Sequence, residues 1–127
     1  MYDEKLLERN LHPENWGVLE GADYDEVLVN ESCGDEIRIM LKIKDGVVVD
    51  GAWEGRACAI ASVSADIFIE KVQGKKVEEV GKMRWEEVEE LSSVRNMPGR
   101  VKCAELAWNH WDFSLKKRKV PVKREKE

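Results

Sequence analysis

Three cysteines and one aspartate are the residues of this 127-residue chain whose types and spacing best suit metal chemistry. Cys33 and Asp35 stand two positions apart, with a single glycine between them that lets the backbone turn, while Cys58 and Cys103 lie far along the chain. Thiolates are soft ligands that select zinc, copper(I) and iron–sulfur clusters over hard cations. We predict that the four side chains converge as a site with three sulfur ligands and one oxygen ligand.

This donor set differs from that of a closed structural zinc site, which usually takes four cysteine or histidine ligands. A carboxylate is a harder donor than a thiolate, so Asp35 predicts a site whose oxygen ligand can be displaced by a persulfide, a partner's ligand or an incoming metal ion. A competing interpretation treats each thiol as a small hydrophobe of the core, because free cysteines are among the most buried residues. The chain has no CxxC pair, so spacing alone leaves both interpretations open.

Alternating apolar residues predict three antiparallel strands. The first covers residues 24–30, with Val27 and Val29 as its alternating apolar positions, and delivers the chain to Cys33. The second covers residues 36–44. Asp45-Gly46 then forms a two-residue hairpin turn, and the return strand runs from Val47 to Gly55. The apolar parity of the second strand consists of Ile37, Ile39, Leu41 and Ile43.

Helical spacing predicts the remaining elements. A short N-terminal helix ends before Pro13, and a long helix runs from Ala57 to a stop at Gly74. The region 77–95 is expected to form one or two amphipathic helices, with its glutamates as a solvated face. A final helix carries its apolar stripe after Cys103. That stripe consists of Ala104, Ala107, Trp108, Trp111 and Leu115. The fold class is therefore α+β, with a small three-stranded antiparallel sheet and helices packed on one face.

These elements bring the thiols to one end of the sheet. Cys33 ends a strand, Cys58 opens one helix and Cys103 lies in the first turn of another. A helix N-terminus stabilises negative charge and so favours the thiolate form. We expect a shallow site near the surface, because an exchangeable metal must be within reach of partners.

Length and charge restrict the function classes. We expect one domain over residues 1–115 and a basic, disordered tail over residues 116–127. The net charge is −5, and no aromatic residues interleave with the basic tail, so we expect no nucleic-acid partner. No apolar run is long enough to span a bilayer, and Met1 to Lys5 does not resemble a signal peptide. An odd number of cysteines without a secretion signal predicts reduced thiols and a cytoplasmic protein.

The cysteine-containing segments, taken in order, resemble the U-type iron–sulfur scaffold family, which includes IscU, SufU and the N-terminal domain of NifU. The resemblance covers about residues 5 to 115. The segments that carry it are Asn30-Glu31-Ser32-Cys33-Gly34-Asp35-Glu36-Ile37, Gly55-Arg56-Ala57-Cys58-Ala59-Ile60-Ala61-Ser62 and Arg100-Val101-Lys102-Cys103, with support from Pro13-Glu14-Asn15-Trp16-Gly17 and Gly74-Lys75-Lys76.

The resemblance implies a SufE/NifU-like fold and a protein that is not an enzyme. It also implies that Cys33, Cys58 and Cys103 are cluster or zinc ligands, and that Asp35 is the labile oxygen ligand that tunes cluster release. Members of the family accept sulfur as persulfide from a cysteine desulfurase and assemble a transient [2Fe–2S] cluster. They pass the cluster to apo iron–sulfur acceptor proteins, and they often carry zinc at the same site.

Two features leave the subfamily open. Lys102 stands where IscU-type members have histidine, as in SufU-type members, and its ammonium is expected to stabilise the thiolates or pair with Asp35. The stretch from Cys58 to Cys103 nevertheless lacks the SufU-type insertion. Gly34 and Arg100 are the other expected supporting residues. The alternative function is therefore a zinc-bearing, SufU-type sulfur-transfer protein that accepts persulfide from a desulfurase and activates it.

Other residues suited to binding are weaker candidates. His12 and His110 are the histidines of the chain, and we expect both to be structural or solvent-facing rather than ligands. Trp16 follows the first helix in a loop. Packing is the favoured role for this tryptophan, with an exposed anchor for a partner as the alternative.

Overall fold

The computed structural model describes residues 4–31 and 34–108. Cys33, His110, Trp111, Leu115 and the predicted tail over residues 116–127 lie outside the described residues. The helices are α1 (Glu4–Leu11), α2 (Ala59–Val72), α3 (Val77–Val80) and α4 (Val101–Glu105), and the strands are β1 (Tyr24–Asn30), β2 (Asp35–Lys44) and β3 (Val47–Arg56). Three 3-10 segments, Trp85–Glu87, Glu89–Asn96 and Pro98–Arg100, lie between α3 and α4.

The three strands form an antiparallel sheet in the order β1-β2-β3, which confirms the predicted topology. Asp45 and Gly46 make the predicted two-residue turn between β2 and β3, and both adopt positive φ, 54° and 78°. This is the backbone conformation that a type I′ hairpin turn requires. The core face of β2 is the predicted one, since Ile37, Ile39 and Leu41 are fully buried.

The core face of β1 is opposite to the predicted one. Leu28 is buried, whereas Val29 is 52% exposed. The reason is the register, which places Leu28 directly opposite the buried Ile37 and therefore on the same face of the sheet. With valine and leucine at neighbouring positions, the alternation in β1 does not by itself distinguish the two faces.

The second face of the sheet is also partly covered. Met40 occupies the predicted polar parity of β2 but is fully buried. The chain between α1 and β1 passes over it. In this segment Gly17 N–H donates to the Trp53 carbonyl at 2.9 Å, and Leu19 N–H points to the Met40 sulfur at 3.4 Å. The helices lie on one face, as predicted, and a loop shields the centre of the other.

Helix α2 is the centre of the molecule and packs against β2, β3, α1 and α4. It is two residues shorter at its start than predicted, because Cys58 is its N-cap. Gly74, just after the helix, has φ of 88°, and its N–H donates to the carbonyl of Val48 at 2.8 Å. Glycine is the residue that tolerates this conformation at a helix end.

The region 77–95, predicted to form one or two amphipathic helices, is helical in short pieces with one buried side, but most of it is not α-helix. After the single turn of α3 it consists mainly of 3-10 segments. From Trp85 onward its buried apolar residues recur every three positions, which matches the three residues per turn of a 3-10 helix. These residues are Trp85, Val88, Leu91 and Val94. An α-helix would also have brought like charges of the run Glu86 to Glu90 together at spacings of three and four.

The described part of the C-terminal stripe agrees with the prediction, because Ala104, Ala107 and Trp108 are buried. Within residues 4–31 and 34–108, no helix has both the length and the apolar character needed to cross a membrane.

Candidate metal centre

Asp35, Cys58 and Cys103 lie together. Each offers one ligand atom, a carboxylate oxygen or a sulfur, and these atoms are all within 4.8 Å of one another. Asp35 is the first residue of β2, Cys58 caps α2, and Cys103 lies in α4. One end of the sheet and the starts of two helices therefore meet at this point. Cys33, the fourth predicted ligand, lies outside the described residues.

Hydrogen bonds at the start of α2 hold two of these side chains. The backbone N–H of Cys58 donates to Oδ1 of Asp35 at 3.0 Å, and the backbone N–H of Ala61 donates to Sγ of Cys58 at 3.4 Å. The first N–H groups of a helix have no partner within the helix. Asp35 and the Cys58 thiol supply acceptors at this terminus. The second oxygen, Oδ2 of Asp35, lies 4.0 Å from Sγ of Cys58.

The described part of the site is deeper than the predicted shallow one. Cys103 is fully buried and Asp35 is 2% exposed, whereas Cys58 is partly exposed. The depth follows from close packing of α4 on α2. Ser64 Oγ donates to the carbonyl of Ala104 at 2.6 Å and accepts a hydrogen bond from Trp108 Nε1 at 2.8 Å. These bonds fix the backbone next to Cys103.

The predicted supporting residues differ in what they contribute. Gly34 has φ of 76°, and its N–H donates to the carbonyl of Asn30 at 2.9 Å, which closes the loop before Asp35. Lys102 is exposed, and among the described residues no ion pair joins it to Asp35. Arg100 is half-buried and directly precedes α4.

Asn30 is a residue at this site that sequence reasoning missed. It is the last residue of β1, lies directly opposite Asp35 and is buried. Within the described part of the chain, its side-chain nitrogen Nδ2 has no hydrogen-bond partner. The sequence did contain a sign of this role. Asn30 stands two residues after Leu28 and so lies on the same face of the strand, where a polar side chain is unusual.

Asp66, in the middle of α2, is a second missed residue and is fully buried. Its carboxylate accepts hydrogen bonds from Arg9 Nε at 2.9 Å, from Trp53 Nε1 at 2.9 Å and from the backbone N–H of Asn15 at 2.8 Å. It also accepts from the N–H of Glu14 at 3.2 Å. Asp66 thus links the central helix α2 to three other parts of the fold: helix α1, the loop after α1, and the sheet. In the sequence, the sign of this buried role was a charged residue, Asp66, among the apolar positions of a predicted helix.

Arg9 is held in the charged state by these contacts. Burial by itself lowers the pKa of Arg9, but hydrogen bonds to Glu70 and Asp66 outweigh burial and raise that pKa above its ordinary value. The neighbouring His12 is exposed, in agreement with a solvent-facing role. Trp16 packs edge-on against Trp53, with ring centroids 4.8 Å apart, and remains 53% exposed.

Comparison with known proteins agrees with this architecture. Residues 1–123 match the model of the NifU-like N-terminal domain. The iron-sulfur cluster assembly scaffold protein IscU of Thermotoga maritima is 37% identical over 133 aligned positions, covering 92% of this chain and 94% of that protein. The zinc-dependent sulfurtransferase SufU of Bacillus subtilis is 29% identical, covering 85% of this chain and 84% of that protein.

A solved structure has the same fold. The crystal structure of a putative scaffold protein for the SUF system from Fervidobacterium islandicum superposes with a TM-score of 0.76 at 28% identity, covering 84% of this chain and 90% of that one. The family model spans nearly the whole chain, and the fold agrees with that of related solved structures. This chain therefore belongs to the family of NifU-like N-terminal domains.

Proposed function

We propose that this protein is an assembly scaffold that accepts sulfur, binds iron and transfers a [2Fe–2S] cluster to apo acceptor proteins. The observation that carries the proposal is the meeting of Asp35, Cys58 and Cys103, with ligand atoms within 4.8 Å of one another. The name of the Thermotoga maritima relative, a cluster assembly scaffold protein, supports it. The cluster is cargo in this function and not a resident cofactor.

The donor set suits such cargo. Cys58 and Cys103 supply soft thiolates, and Asp35 supplies Oδ2, since Oδ1 already accepts from the N–H of Cys58. Cys33 is the proposed fourth ligand. It is two residues from Asp35 in the chain, so covalent geometry keeps the two Cα atoms within about 7 Å. A single oxygen among sulfur ligands is the weak point at which the cargo can be released.

Sulfur acceptance requires a reachable thiolate. The thiolate attacks the outer sulfur of the persulfide on a cysteine desulfurase, a new S–S bond forms, the desulfurase S–S bond breaks, and the desulfurase cysteine leaves as thiolate. Cys58 is partly exposed and Cys103 is fully buried, so Cys58 is the better placed of the two. Converting each acquired sulfur to sulfide takes two further electrons, so an electron donor is needed besides ferrous iron.

The second candidate function is zinc-dependent sulfur transfer, in which the protein is a co-substrate and activator of the desulfurase. Two observations favour it: Lys102 directly precedes Cys103, and the Bacillus subtilis relative is a zinc-dependent sulfurtransferase. Zinc binds the same sulfur and oxygen donors. In this function Asp35, Cys58 and Cys103 would hold the zinc ion, which would keep the thiolates ordered until ligand exchange frees one of them. Both functions use reduced thiols, and we propose a cytoplasmic location for either.

One anaerobic experiment separates the two. The protein is incubated with ferrous iron, cysteine, a reductant and a cysteine desulfurase, and visible absorption and bound zinc are recorded. The scaffold function predicts cluster absorption that passes to an apo-ferredoxin. Tight zinc with strong activation of the desulfurase and no cluster supports sulfur transfer. The Cys103→Ser variant is the control for absorption that arises from free iron sulfide. Absence of cluster, zinc and desulfurase activation would contradict both functions.

A further inference from the structure

The side-chain nitrogen of Asn30, which has no hydrogen-bond partner among the described residues, plays no part in the function proposed above. Three buried side-chain polar atoms among the described residues have no hydrogen-bond partner: Asn30 Nδ2, Trp85 Nε1 and Ser93 Oγ. Asn30 is 8% exposed. Of the three residues, it is the one that lies opposite a residue of the metal centre, Asp35, in the sheet. A buried donor without an acceptor is costly. A donor kept at this position is therefore expected to find an acceptor in another state of the site.

The register places Asn30 directly opposite Asp35. Asn30 and Asp35 are directly opposite in the antiparallel pair β1–β2, and both are buried on the core face. The Cβ atoms of such opposite residues are about 4.5–5.5 Å apart. The hydrogen bond from Gly34 N–H to the Asn30 carbonyl holds the end of the hairpin in this register. Asn30 is thus on the same face of the sheet as Asp35, at the end of the sheet where Asp35, Cys58 and Cys103 meet.

The chemistry of the cargo decides what the amide can bind. An amide N–H needs an acceptor with a lone pair, and a bare metal cation has none. The sulfide of an iron–sulfur unit is anionic and accepts hydrogen bonds, which tune such clusters. In the loaded site Oδ2 of Asp35 would be a ligand and Oδ1 accepts from the N–H of Cys58, so an anionic sulfur would add an acceptor near Asn30.

We propose that Asn30 is a specificity-determining residue, whose amide donates a hydrogen bond to the sulfide of the guest and makes the site prefer an iron–sulfide guest to a bare zinc ion. The inference rests on the proposed function, because it requires that an iron–sulfide guest is held by Asp35, Cys58 and Cys103. Zinc held by the same ligands brings no sulfide, so the amide then has only the sulfur and oxygen atoms of the ligands themselves as acceptors. Asn30 therefore affects the relative affinity of the site for an iron–sulfide unit and for zinc, and not its ability to bind metal.

The test is the Asn30→Leu variant, which removes the donor at similar side-chain size. Three measurements are made: the Tm of the metal-free protein, zinc affinity by competition with a chromophoric chelator, and the decay of visible absorption in a chelator after loading with ferric iron and inorganic sulfide. We expect a Tm equal to or above that of the wild type, zinc affinity within about twofold, and decay of the iron–sulfide guest faster by about tenfold.

Ser93→Ala is the matched control, because it removes another unpartnered buried polar atom that lies in the 3-10 segment Glu89–Asn96 and outside the metal centre. It should change neither zinc affinity nor decay. Equal loss of zinc and iron–sulfide binding in Asn30→Leu, a Tm lowered by several degrees, or an unchanged decay would each overturn the inference. Failure of the wild type itself to take up iron and sulfide would instead contradict the scaffold function, and this inference with it.

Discussion

Asp35 Oδ1 accepts a hydrogen bond of 3.0 Å from the backbone N–H of Cys58, so that the first residue of β2 holds the N-cap of α2. The two residues are 23 positions apart in the chain. One carboxylate therefore has a structural contact through Oδ1 and offers Oδ2 to a metal ion. The structural and ligand roles of Asp35 can be separated by substitution.

Asp35→Asn and Asp35→Ala are expected to differ in stability but not in metal binding. The asparagine oxygen can still accept from the N–H of Cys58, whereas alanine leaves that N–H without a partner and lowers the free energy of unfolding by about 1–2 kcal/mol. Both variants lose the anionic oxygen ligand and should bind zinc at least tenfold more weakly. Urea denaturation of the metal-free proteins and chelator competition measure the two effects. Wild-type zinc affinity in either variant would show that Asp35 is not a ligand.

Cys58→Ser is expected to abolish tight zinc binding while the metal-free protein remains as stable as the wild type. Serine is among the preferred N-cap residues, and its oxygen can replace the sulfur as acceptor for the N–H of Ala61. Cys103→Ser should weaken zinc binding to a similar degree. Because Cys103 is fully buried, this variant also places a hydroxyl in the core and lowers the free energy of unfolding by about 1–3 kcal/mol.

Thermal unfolding with and without zinc checks both cysteine variants. In the wild type, saturating zinc should raise the Tm, because a ligand that binds the folded state stabilises it. The rise should vanish in both variants. A Cys58→Ser protein that unfolds at a much lower temperature than the metal-free wild type would contradict the capping role.

Asp66→Ala is expected to lower the free energy of unfolding by about 3–5 kcal/mol, because it leaves several buried donors without an acceptor. The donors include Arg9 Nε, Trp53 Nε1 and the N–H of Asn15. Asp66→Asn retains an acceptor oxygen and should lose less. Hydrogen exchange should show the loop around Asn15 opening first in the alanine variant. Uniform loss of protection across the sheet would indicate that Asp66 does not specifically hold the loop.

Gly55→Ala is expected to be severely destabilising. A Cβ atom at this position would lie 2.1 Å from the carbonyl oxygen of Glu36, and φ is 152°. The backbone of β3 must move away from β2, near the point where the chain turns towards Cys58, at a cost of about 1–3 kcal/mol or more. Gly99→Ala is the control, because a Cβ there meets no atom within 4 Å. Denaturant midpoints of the two variants measure the difference, and similar midpoints would contradict the close approach at Gly55.

Much of the local structure was readable from the sequence. The alternation from Ile37 to Ile43 and the pair Asp45-Gly46 predict a hairpin, because burial on one face of a strand imposes a period of two. The apolar period of α2 and the glycine after it are similarly local. The spacing of three from Trp85 to Val94 was also present in the sequence. Over a segment this short, however, a period of three residues does not distinguish a 3-10 helix from an α-helix with 3.6 residues per turn.

The amino-acid sequence alone determined the elements, their order and the residue types suited to metal chemistry, since each depends on neighbours a few positions apart. The tertiary structure decided which faces are buried and which distant side chains meet. Leu28 rather than Val29 faces the core because β1 pairs with β2 in one register. Asn30 stands beside Asp35 for the same reason, and Asp66 gathers its donors from separate segments. Such contacts depend on how the layers pack, and packing is a property of the whole chain.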